Sequence, residues 1–425
     1  MKTIKNDFIS EEYYSFRHRS GLQVFVYPKN GYEGTYAIFG TNYGSVDETF
    51  KPIGEDEYLT VPSGIAHFLE HKLFESEKGD AFSRYAKTGA SANAYTSFDK
   101  TCYLFTCSEN VPQSLEILLD FVTSPYFTAE TVEKEQGIIG EEIRMYDDSA
   151  DWQVFFGLLR ALYVNHPIKT DIAGTQETIA EIDAGVLYKC YNTFYNLNNM
   201  ALCVVGNITT ETVNEIADKI LKKSDCVTVD CKPVSEPESV CEKKITTQME
   251  VVTPLFQMGY KLPCDGYVSA KTRIACKVLS QALLGDSSTL YRQLLDMELI
   301  NSQFGTDVLE GRGFAAFVAG GESKNPDKVY EIITKAVQSA KNNGIGNEDF
   351  MLAKKSVYGH LVSGFNSIEN IGGSMVEAHF GGTGIFEMLN EAVNIKPQDI
   401  DCLLKSFDND SSALSVVFPK TTENS

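Results

Sequence analysis

Short apolar runs rich in Val, Phe and Tyr, bounded by glycines, mark the opening stretches LQVFVYP (22–28) and TYAIFGTNYG (35–44). That pattern predicts short strands separated by glycine turns. The pattern changes at GIAHFLEHKLFE (64–75), where apolar residues recur every three to four positions and predict a helix. GASANAYTSFDKTCYLFTC (89–107), rich in Thr, Tyr, Phe and Ser, predicts strands, and helical spacing then dominates from VPQSLEILLDFV (111–122) to about Phe194. The strand-like MALCVVGNI (200–208) closes the first half. Residues 222–244 are polar and poor in strand formers, the composition of a linker.

The second half repeats this order faintly. FQMGYKL (256–262) predicts a strand, residues 269–295 a helical stretch and GFAAFVAGG (313–321) a second strand, with helices after it. GGSMVEAHFGGTG (372–384) reads as a glycine-rich loop without the lysine of a phosphate-binding motif. Strands first and helices after, twice over, predict an α+β duplication. The expected domains are 1–222, a linker at 223–244, and 245–425.

At 425 residues the chain is too long for one core, which agrees with two domains. A net charge of −21 excludes the basic footprint that nucleic acid needs. No stretch reaches the ~18 apolar residues of a membrane span, and the acidic N-terminal region offers no export signal. Ten scattered cysteines without CxxC spacing suit reduced thiols, so a cytoplasmic protein without membrane attachment is expected.

The helix at 64–75 carries the candidate chemistry. Ser63 is its expected N-cap, and His67 and His71, four apart, project from one face with Glu70 flanking them. Ile65, Leu69 and Leu73 point the other way. Two imidazoles one turn apart can share a metal ion, and H-x-x-E-H is the inverzincin order. A long helix capped by Thr128 follows, with Val132, Gln136, Ile139, Ile143 and Tyr146 as its inward stripe. At ~100° per residue, Glu135 and Glu142 border that stripe and Glu141 falls opposite it. Gly137 and Gly140 inside this helix predict close approach of a second helix.

H-x-x-E-H followed by Glu135-x6-Glu142 resembles the pitrilysin/insulinase zinc peptidases. SANAYTS, HPI, AGT and FYNLNNMALCVVGNI match that family's later landmarks, and HFLEHKLFE with EKEQGIIGEEIRMYDDSADW is most like its bacterial YmfH-type branch. The resemblance implies two homologous α/β-sandwich halves, each an antiparallel sheet covered by helices, closing as a clamshell. It implies zinc on His67, His71 and Glu142, Glu70 as general base to a zinc-bound water, and Glu135 orienting a histidine. Asn93 and Ala94 would lie on a strand that pairs with an extended peptide substrate. His166, His360 and His379 have no metal-ligating neighbours at suitable spacing and are not expected ligands.

One departure bears on partnership. Active family members carry an Arg and a Tyr seven apart in the second half, and the matching positions here are Leu295 and Ser302, with Arg292 three residues early. The resemblance therefore implies a homologous partner subunit that lacks the zinc motif and supplies the pair, or a homodimer. Two other readings are a non-catalytic assembly subunit of the same family and a metal-dependent hydrolase of small molecules on another fold.

Overall fold

The computed structural model describes residues 1–77, 79–223 and 226–420. Its larger sheet is built from β1 (Lys2–Asn6), β2 (Glu11–Arg17), β3 (Gln23–Pro28), β4 (Thr35–Thr41), β9 (Ser91–Thr96), β10 (Thr101–Cys107) and β11 (Met200–Gly206). Two short ribbons, β5 (Thr49–Phe50) with β6 (Leu59–Thr60) and β7 (Glu75–Ser76) with β8 (Gly79–Asp80), lie outside it. The smaller sheet holds β12 (Lys244–Met249), β13 (Leu255–Lys261), β14 (Gly305–Gly311), β15 (Phe314–Glu322) and β16 (Ser412–Pro419).

Strand order shows the duplication directly. The first sheet runs β1-β2-β3-β11-β4-β10-β9 and the second β12-β16-β13-β15-β14. β3 pairs parallel with β11, and β12 pairs parallel with β16; the remaining pairs are antiparallel. Five strands thus correspond one to one, and β1 and β2 are additions to the first sheet. The expected α+β class with two similar halves is what the structure has.

The compact units are not the contiguous halves that the sequence predicts. One consists of Met1–Ile143, Asp171–Pro233 and Val362–Ile385, the other of Arg144–Thr170, Val234–Leu361 and Phe386–Ser425. Each half thereby contributes a helix to the other unit. The helix Ile368–Phe380 packs on β4 and β11, whereas Ala150–Leu162 packs on β12, β13 and β16. Both sit close because a side chain is missing. A Cβ on Gly372 would lie 2.5 Å from the Tyr36 ring, and one on Gly157 would lie 2.4 Å from Ser415 Oγ. The stretch read as a loop at 372–384 is therefore helical through Phe380: its glycines are contact points against the sheet rather than helix breakers.

β4 is buried along its whole length, as a strand with both faces covered must be. Tyr36 and Ile38 meet the helix carrying Gly372. On the other face Tyr103, opposite Phe39 in the neighbouring strand, packs edge-on against Phe121 of the helix Val111–Val122, ring centroids 5.7 Å apart. Among the described residues, no helix is long and apolar enough to cross a membrane.

Candidate metal centre

The helix α1 (Ile65–Leu73) carries the H-x-x-E-H sequence, and Ile65, Leu69 and Leu73 are buried beneath it as the spacing requires. Its start differs from expectation. Gly64, at φ 92°, is the N-cap, while the Ser63 hydroxyl donates to Glu48 at 2.6 Å. A Cβ on Gly64 would sit 2.4 Å from the Ala173 carbonyl oxygen, and one on Gly174 2.4 Å from that of Ser63. A left-handed backbone and a reciprocal close approach both demand glycine here. The contact seats the first turn of α1 against the AGT segment.

The second contributor is the helix Ala129–Asp147, whose first turn is capped by Thr128 Oγ1 accepting from Thr131 N at 3.2 Å. Val132, Ile139 and Ile143 are buried, and Gln136 Nε2 donates to the Ile182 carbonyl at 3.0 Å. Tyr146 stacks on Trp152, ring centroids 4.3 Å apart. Glu141 is exposed and Glu142 half-buried, so helical phase selects between the two adjacent carboxylates. The glycines here do not serve the close approach expected of them. A Cβ on Gly137 would meet nothing, and one on Gly140 would just touch Ile179 Cδ1 at 4.0 Å.

His67, His71 and Glu142 converge, each offering one ligand atom within 4.8 Å of the others. His67 Nε2 lies 3.7 Å from Glu142 Oε1, and His71 Nε2 lies 3.5 Å from Glu142 Oε2. Glu135 Oε1 sits 3.0 Å from His71 Nδ1, which fixes the ring and leaves Nε2 facing the cluster. Burial, and then the neighbouring His71, push His67 down to about 4, so its imidazole is neutral at pH 7 with a free lone pair. Burial also pulls His71 downward, but the bond to Glu135 and the charge of Glu70 outweigh it and the net direction is up. Two imidazole nitrogens and a carboxylate oxygen, with one ring oriented from behind, form a donor set suited to zinc.

Glu70 is buried on the same helix, and Thr96 Oγ1 donates to its Oε2 at 2.7 Å. Burial raises the Glu70 carboxyl against the opposing Thr96 bond, which brings it closer to the pH at which a base works. Thr96 was not among the residues singled out from the sequence. The signal was available: Ala92, Ala94 and Thr96 share one face of β9, and Thr96 is the one with a hydroxyl.

β9 is an edge strand, paired through β10 alone. Asn93 is exposed on it, and its Oδ1 accepts from the Ala94 N–H at 2.9 Å, capping a backbone donor. His166 Nδ1 instead accepts from the Ile168 N–H at 3.2 Å, and the ring of His379 packs edge-on against Phe25. Neither belongs to the cluster. Leu295 is 42% exposed on the helix Thr289–Asp296, and Ser302 lines a cavity of about 750 Å³ beside β14 and β15.

Comparison with known proteins shows the family. Residues 57–176 match the profile described as Insulinase (Peptidase family M16), and residues 181–357 match the one described as Peptidase M16 inactive domain. The zinc protease YmfH of Bacillus subtilis is 39% identical over 95% of this chain and 96% of its own length. The chain belongs to the insulinase family, peptidase family M16. Among other M16 relatives, the zinc protease PqqE of Helicobacter pylori is 25% identical over 94% of the chain and 90% of that protein. The crystal structure of an M16-like peptidase from Alicyclobacillus acidocaldarius superimposes with a TM-score of 0.92 at 30% identity, covering 99% of this chain and 100% of that one. The M16 inactive-domain match, residues 181–357, contains none of His67, His71 and Glu142.

Proposed function

We propose that this M16 protein is a zinc-dependent endopeptidase acting on extended peptides. The observation that carries the reading is the convergence of His67, His71 and Glu142 beside a buried Glu70. His67, His71 and Glu142 would hold the ion, with Glu135 orienting His71. Bound zinc supplies Lewis acidity, polarising the scissile carbonyl and lowering the pKa of water.

The chain's own groups do the remaining work. The Glu70 carboxylate, steadied at Oε2 by Thr96, takes a proton from the attacking water and delivers it to the leaving amine. The open edge of β9, around Asn93 and Ala94, pairs with the substrate backbone once the Asn93 side chain releases the Ala94 N–H. Thr96 ends the same strand, so substrate pairing and the base share one element.

Leu295 and Ser302 offer neither the charge nor the phenol of an Arg–Tyr pair. A homologous partner without the zinc cluster supplies those groups, and the active species is a dimer. Ten cysteines scattered without CxxC spacing accord with a cytoplasmic setting. The test is peptide cleavage by wild type and Glu70→Gln, alone and mixed with a candidate homologous subunit. Glu70→Gln should retain zinc and lose about 10²–10⁴-fold in turnover. Unchanged cleavage by Glu70→Gln contradicts the peptidase reading, and full activity of the single chain contradicts the need for a partner.

A further inference from the structure

Lys72 follows the second histidine of the zinc sequence, and its side chain is completely buried. A lysine is rarely found so deep without a specific partner. Here the ammonium pairs with Glu75, three residues on, and its Nζ donates to the Thr131 carbonyl at 3.3 Å. Thr131 is in the first turn of the helix Ala129–Asp147, one turn before Glu135.

The contacts between the two helices form a ladder in antiparallel order: His67 faces Glu142, His71 faces Glu135, and Lys72 reaches Thr131. The upper rungs consist of the groups assigned to the ion and its support. The Lys72 rung uses no group assigned to the ion or to its support, so it can hold the register of the helices independently of metal. A slip of one residue along the second helix would turn Glu135 and Glu142 by ~100° and take them off the histidines.

We propose that Lys72 is a positioning residue for the metal centre: held by Glu75, it clamps Thr131 and fixes the helix register that brings Glu135 and Glu142 to His71 and His67. The inference rests on the zinc reading above. Removing one partner of a buried ion pair is costly chiefly because the other charge is left uncompensated. The Glu75 side chain is 33% exposed, so its carboxylate can turn to water and that cost is limited.

The experiment uses the full chain. Zinc affinity is measured by chelator competition, and the cobalt-substituted absorption spectrum is recorded, for wild type, His67→Ala and Lys72→Met, beside thermal melts. Lys72→Met should melt near wild type, yet bind zinc at least ~10-fold more weakly and show an altered cobalt spectrum. A folded Lys72→Met with wild-type affinity and spectrum overturns the proposal. Should Lys72→Met fail to fold, Lys72→Gln, too short to reach Thr131, takes its place with the same two outcomes. If neither folds, Lys72 supports the whole unit rather than the site and the proposal is again overturned. Failure of the zinc reading itself looks different: wild type then binds no better than His67→Ala.

Discussion

The two sheets share one strand order and end in comparable edges, yet they carry different chemistry. In the first, the helix packed on the edge strand β9 presents His67, Glu70 and His71, and Glu70 takes a bond from Thr96 on that strand. In the second, the helix Ala270–Leu284 packs on the edge strand β14 and presents Arg273, which forms a buried ion pair with Glu310. Both edges also cap their own backbone: Asn93 accepts from the Ala94 N–H, and Asp307 from the Val308 N–H at 2.7 Å. The duplicated fold is therefore a scaffold whose helix-on-edge corner holds a donor cluster in one copy and a charge pair in the other. Function follows what is grafted at that corner, not the fold.

The comparison breaks most visibly if the halves are autonomous. Each borrows a helix, so a fragment ending at residue 233 lacks Ile368–Phe380 and leaves one face of β4 and β11 uncovered. That fragment should show no cooperative thermal transition. A normal transition would mean the exchanged helix is dispensable.

A smaller effect separates the two exchanged helices. Gly372→Ala drives a methyl into the buried Tyr36 ring and should cost about 1–3 kcal/mol in denaturant unfolding. Gly157→Ala meets the Ser415 hydroxyl, which can rotate away, and gains helix propensity; it should cost less than ~1 kcal/mol. Equal costs would show that the two helix–sheet contacts are not distinguished by what faces the glycine.

A further difference is a pH dependence belonging to the second unit. Burial pushes His166 down to about 4, from 6.5 when exposed. Between those values the unfolded chain binds a proton that the folded chain refuses. Stability is thus fully present above pH ~6.5 and is lost as the pH falls toward 4, by about 3 kcal/mol. His166→Asn should flatten that part of the profile in equilibrium unfolding. A variant with an unchanged slope removes His166 as its source.

Much of this was legible because it is local. Short apolar and aromatic runs between glycines marked the strands, and a four-residue spacing placed His67 and His71 on one face. Helical phase preferred Glu142 to Glu141. The parallel between ALCVV (201–205) and ALSVV (413–417), in the corresponding strands β11 and β16, was a direct trace of duplication that pattern reading passed over. What escaped depends on partners far along the chain. The glycines at 372–373 read as a loop because local propensity cannot see Tyr36. Ser63 read as a cap because its bond to Glu48 is tertiary. Lys72 passed unremarked because Thr131, fifty-nine residues later, is its acceptor.

The central claim is that an ion is held between one turn of α1 and Glu142. Metal analysis of the purified, zinc-reconstituted chain beside Glu142→Gln and Glu141→Gln tests it most directly. The account predicts one zinc per chain in wild type and in Glu141→Gln, and a strongly reduced content in Glu142→Gln. A metal-free wild type after reconstitution, or full zinc in Glu142→Gln, would contradict it.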